Sequence, residues 1–173
     1  VSGGFNLAGG NGWTNVSGRN YVAWNWKAGG AGSANTDGSI NTTATSVNTT
    51  AGFSISTYTG TGSAATIGHG LGVKPSMIIV KNLSSSSYGW YVYHKSIAAT
   101  HEILLNSSSA KDTTSQWNDT EPTSSVFSVG TAAATNGSGN NLVAYCFAEK
   151  TGYSKFGSYK GNGNADGTFV YTG

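Results

Sequence analysis

Along most of this chain apolar and polar residues alternate in short runs separated by glycine-rich turns, and a period of two predicts strands. In Tyr21 to Trp26, Val22, Trp24 and Trp26 fall on one face and Tyr21, Ala23 and Asn25 on the other. Phe5–Leu7, Phe53–Tyr58, Ala65–Ile67, Trp90–Lys95, Glu102–Asn106, Ser125–Val129 and Asn141–Phe147 are further strand candidates. The stretch HGLGVKPSMIIVKN, His69 to Asn82, combines a glycine-broken turn, a proline and the apolar run Met77–Val80. Pro75 removes a ladder donor before the run and Lys81–Asn82 ends it, so a short buried strand is expected there. Apolar residues nowhere recur at helical spacing over three turns, so no helix longer than two turns is expected. The pattern predicts an all-β fold, an antiparallel β-sandwich of jelly-roll-like type.

An internal repeat organises these strands. Phe5-Asn6-Leu7, Asn15-Val16-Ser17-Gly18 and Tyr21–Trp26 match Phe127-Ser128-Val129, Asn136-Gly137-Ser138-Gly139 and Leu142–Phe147 at a separation of about 121 residues. GFSISTYTGTG from Gly52 likewise resembles GYSKFGSYKGNG from Gly152. The organisation expected is four-part: residues 1–30 as terminal strands of a preceding unit, 31–50 as a Gly/Ser/Thr-rich linker, 51–150 as a complete β-sandwich unit, and 151–173 as the start of a following unit. The linker reading rests on composition, with an Asp37-Gly38 turn and one weak strand around Ile40.

Composition supports strands and narrows function. Of 173 residues 26 are Gly, 9% are charged and 12% are aromatic, which favours short strands and still supplies large groups to bury. A net charge of +2 with scattered lysines gives no electrostatic footprint for nucleic acid. No run approaches the roughly 20 apolar residues of a membrane helix, and the N-terminus lacks a basic region followed by an apolar one, so no membrane insertion is expected. Cys146, the single cysteine, lies in LVAYCF and reads as a small buried hydrophobe, and a disulfide within the chain is impossible.

Candidate chemistry is sparse. Asp119 and Glu121, with Asp112 in the same polar loop, are the one carboxylate pair placed to flank a glycosidic bond, and carboxylates so close in a loop are ordinarily solvated. His69, between two glycines, reads as a hydrogen-bonding turn residue before a base or ligand. His94, His101 and Glu102 would make an N,N,O set if their strands pair, but without a fourth ligand no metal is expected. Asn162, Asn164 and Asp166 place side-chain oxygens at the first, third and fifth positions of a calcium-type loop, whose acidic twelfth position is missing. No GxSxG elbow, HExxH or P-loop occurs. The residues expected to bind ligand are Tyr91, Tyr93 and Trp117, flat rings of the kind that stack on sugars or anchor interfaces. No catalytic residue and no cofactor are expected.

HGLGVKPSMIIVKN, GWYVYHK, ILLN, PTSSVFSVG, LVAYCFAEKTGYSKFGSYKGNG and ADGTFVYTG together resemble a repeat family of bacteriophage virion structural and tail-fibre proteins, notably of marine phages. The resemblance covers nearly the whole chain and supplies no catalytic residues. It implies a non-enzymatic virion or fibre module, located on the extracellular particle surface after assembly in the host cytoplasm and engaged in host-surface attachment. Implied partners are other virion proteins, copies of the chain itself in a homo-oligomer, and host-surface glycan. The competing expectations are a carbohydrate-binding module of a secreted or surface protein and a glycan-degrading enzyme domain.

Overall fold

The computed structural model describes residues 3–7 and 13–172. Its strands are β1 (Ala44–Asn48), β2 (Phe53–Thr59), β3 (Ala65–Gly68), β4 (Met77–Asn82), β5 (Trp90–His94), β6 (His101–Leu104), β7 (Asp112–Thr113), β8 (Val126–Val129) and β9 (Asn141–Phe147). One helical turn, α1 (Ala133–Asn136), stands where the sequence pattern gave only a turn. Seven strands make an antiparallel sheet in the order β1-β2-β9-β4-β5-β6-β7, and β3 pairs with β8 in a separate ribbon. The fold is therefore all-β and sandwich-like. The β3–β8 pair is nested between β2 and β9 in the chain order.

Alternation along each strand decides which side chains meet. In β4, Ile78, Val80 and Asn82 are buried while Met77, Ile79 and Lys81 are half-buried on the other face. Register with β9 sets Ile78 beside Cys146 and Val80 beside Ala144, and register with β5 sets Ile78 beside Tyr93. Ile67, Phe127 and Val129 from the ribbon close the core over these residues. Each fully buried Ile or Val contributes about 1.5–3 kcal/mol through area removed from water. The expected strand after Pro75 is thus present, with one face in the core.

Residues 31–50 are built into this fold, which corrects the linker reading. Ile40 is buried and bridges Ile67, and Ala44–Asn48 is a strand paired along its length with β2. The Thr-rich composition misled because its hydroxyls satisfy one another: Thr42 Oγ1 lies 2.8 Å from Thr45 Oγ1, which lies 2.9 Å from Ser56 Oγ. Ser56 Oγ then donates to the Gly68 carbonyl at 3.3 Å. A polar sequence can be buried when its hydrogen bonds are completed internally.

The chain ends behave differently. Tyr21–Trp26 and Phe5–Leu7, expected as strands, make no ladder, and the Asn11-Gly12 turn signal lies outside the described residues. No edge is free to receive them beside β1, because Ser33 exchanges backbone hydrogen bonds with Thr45 and occupies that edge. At the other end Ser154 bridges Lys150, the Phe156 N–H donates to Glu149 at 2.9 Å, and residues 157–172 form no strand. Among the described residues no helix is long and apolar enough to cross a membrane.

Candidate functional site

The expected ligand-binding rings do not form a site. Tyr93 has no exposed surface and Trp117 is 2% exposed, and the two pack edge to face with centroids 6.2 Å apart. Tyr91 is half-buried against the core. In β5 the face bearing Tyr91 and Tyr93 turned out to be the inner one. Trp117 is rolled inward by its loop, where Asn118 and Asp119 take left-handed backbone angles, φ 52° and 47°. Neither Tyr93 nor Trp117 offers an open face for a sugar.

The carboxylate pair is also taken apart. Glu121 accepts hydrogen bonds from Tyr93 Oη at 2.6 Å, Ala99 N at 2.9 Å and Lys74 Nζ at 2.7 Å. Burial alone would raise its carboxyl, but the donors from Lys74, Tyr93 and Ala99 outweigh it and hold the group below the usual glutamate range. Glu121 is a clasp joining β5, the turn before β6 and the segment before β4; Asp119 is exposed beside it.

The histidines are likewise structural. His69 is wholly buried, its Nδ1 accepts from Leu71 N at 3.2 Å, and Nε2 lies 3.3 Å from the Thr123 carbonyl, to which it donates. Burial lowers its basicity, opposed by the Thr123 carbonyl, so the neutral ring is favoured. His94 accepts from Ser96 N at 3.1 Å, and His101 Nδ1 shares a hydrogen bond with Thr100 Oγ1 at 2.9 Å. Glu102 is half-buried and burial raises its carboxyl. Among the described residues no three His, Cys, Asp or Glu side chains are grouped so as to hold a metal. In the calcium-type loop the oxygens of Asn162 and Asn164 accept from Asn164 N and Asp166 N, which uses them in turning the backbone.

What the sequence pattern did not single out is the outer face of the large sheet. Register aligns Ile55, Tyr145, Ile79, Val92 and Ile103 in one row across five strands. The adjoining row runs Phe53, Phe147, Met77, and on the other side lie Val143 and Trp90. Phe53, Val92, Val143 and Phe147 are buried, the rest are half-buried, and none belongs to the core cluster beneath. Trp90 stacks on Tyr145 at 6.2 Å, and Phe53 lies 4.9 Å from Phe147. Trp26 reaches onto this face, 6.1 Å from Phe53 and 5.4 Å from Phe147, and Phe156 lies 6.0 Å from Phe147 on the same side. The signal was present in the sequence as alternating strands apolar on both faces, since a strand with only one buried face carries polar residues on the other.

Exposed apolar side chains are concentrated in the terminal segments of the chain. Apart from Val73, Leu83 and Leu105, every large exposed apolar residue described lies before Lys27 or after Gly152. Trp13 is 87% exposed and Trp24 74%, while Tyr159, Phe169 and Tyr171 line an open groove with Lys155 5.2 Å above the Tyr171 ring. Such an arrangement can make contacts with another macromolecule, and it contains no positioned nucleophile or base. Neither curated proteins nor solved structures give a match to this chain. Residues 1–173 match the family model described as a domain of unknown function, DUF7483, and the chain belongs to that family.

Proposed function

We propose that this chain is a non-enzymatic structural or fibre module of a bacteriophage virion, acting in attachment to the host surface. The observation that carries the reading is the concentration of exposed aromatic and aliphatic groups in the two terminal segments of the chain, flanking a weakly charged β body in sequence. Apolar groups presented by terminal segments are suited to contacts with neighbouring modules. The internal repeat and the resemblance of the quoted motifs to phage fibre proteins support the same reading. Many copies on one particle would convert weak single contacts with a host-surface glycan into firm adhesion.

Enzymatic glycan cleavage has less support, because Glu121 is committed to three donors and is not free as an acid or base. Binding of glycan through Tyr91, Tyr93 and Trp117 has less support as well, since Tyr93 and Trp117 are buried. The test is immunogold electron microscopy of particles produced by the phage whose genome encodes this chain. Antibody raised against the folded chain is expected to decorate the particle surface, and unlabelled purified particles would overturn the reading.

A further inference from the structure

At the β7 edge of the large sheet two carboxylates stand opposite one another. Register sets Glu102 of β6 directly across from Asp112 of β7. Opposed residues of an antiparallel pair project to the same face with Cβ atoms about 4.5–5.5 Å apart, and like charges so placed are destabilising. Alternation puts Glu102 on the face of Leu104, which pairs with Tyr91, so its side chain lies on the inner side of the sheet. There Oε2 is buried and has no hydrogen-bond partner among the described residues. β7 itself has two residues, both exposed, and follows the exposed segment 105–111. Beyond that pairing, the Thr114 N–H ties it to the Thr100 carbonyl at 3.1 Å.

We propose that the β6–β7 edge is a pH-sensitive latch, loosened while Glu102 and Asp112 are both ionised and tightened when Glu102 takes up a proton on acidification. The groups that face Glu102 are Asp112 from β7, Tyr91 from β5, and the side chains of Thr114 and Gln116 from the segment after β7. His101 alternates to the opposite face, across from Thr113, and Lys111 precedes Asp112 on the exposed segment. Burial raises the Glu102 carboxyl above its ordinary value of 4.5 and Asp112 adds to this, against Thr114 and Gln116, which favour the charged form. The ionised carboxylate therefore costs the fold stability. That cost is fully present above the folded value and gone below 4.5, so the edge gains stability as pH falls through that window. Glu121 acts in the opposite sense but outside the window, because its folded carboxyl lies below 4.5. An inward-pointing charge is one way an exposed sheet edge is kept from pairing with other chains, and here the charge is removable.

Amide hydrogen exchange of the whole chain, followed residue by residue by NMR at about pH 7 and about pH 5 and corrected for intrinsic rates, tests this. Protection of the Thr114 amide and of the β6 and β7 amides is expected to rise about two- to fivefold on acidification, the effect of relieving one opposed like-charge pair. Amides of the β4–β9 ladder, remote from the edge, should not change. Glu102→Gln should show the higher protection at both pH values, and Asp112→Asn should raise protection at neutral pH. A parent whose edge protection does not change with pH overturns the proposal. So does a response that persists in Glu102→Gln, which would assign it to His101, and so does protection lowered by Glu102→Gln at neutral pH, which would make the ionised carboxylate a stabilising acceptor. If Glu102→Gln misfolds, Asp112→Asn decides alone: unchanged protection at neutral pH sinks the latch.

Discussion

Glu121 shows how one ionised side chain holds three segments that the sequence leaves far apart. Replacing it with Ala removes the acceptor for the buried Tyr93 hydroxyl and for Ala99 N, at a cost of about 1–3 kcal/mol read from the urea midpoint. Its pH dependence has a definite sign. The folded carboxyl lies below its ordinary value of 4.5, so its contribution is complete above that pH and is lost as pH falls through the lower folded value. The parent should therefore lose its advantage over Glu121→Ala on acidification below that range, measured by chemical denaturation at a series of pH values. Cys146 gives a second residue-scale prediction. Burial pushes its thiol up to about 12, opposed only by the Ser54 hydroxyl, so the native chain should not react with a thiol reagent at neutral pH and should react on unfolding.

Among the elements, α1 and the corner before β3 depend on Asn136. Its side-chain amide donates to the Ser63 and Gly130 carbonyls at 2.7 and 2.8 Å and accepts from Thr61 N at 2.9 Å, all from a position with no exposed surface. Asn136→Ala should cost about 2–4 kcal/mol, two or three hydrogen bonds in a site too closed to admit water freely, seen as a lowered urea midpoint with unchanged slope. In the sequence Asn136 reads as half of an Asn-Gly turn, and local chemistry alone has no means of showing that its partners lie near residues 61–63. Strands β2, β3, β5, β6, β8 and β9 were legible because their period of two is a local property, and β4 because an apolar run follows Pro75. β1 was not, since Thr45 acquires its buried partners Thr42 and Ser56 only when the hairpin with β2 forms. Tyr21–Trp26 failed in the opposite sense: its alternation is strand-like, yet a strand needs an edge, and at the β1 edge Ser33 already bridges Thr45. For the same reason the inward face of β5 was unreadable, because Trp90, Val92 and Tyr91, Tyr93 are equally apolar alternatives until β4 and β9 fix the register.

At the scale of the whole molecule the body and the ends do separate work. Ile40 through Ala148 supply the core, whereas the described residues before Lys27 contribute no strand, and Trp26 among them packs on Phe53 and Phe147. A chain starting at Lys27 should keep the β signal in circular dichroism and a urea midpoint equivalent to a loss of about 1 kcal/mol or less, since the Trp26 ring it removes is exposed and only in partial contact with the body.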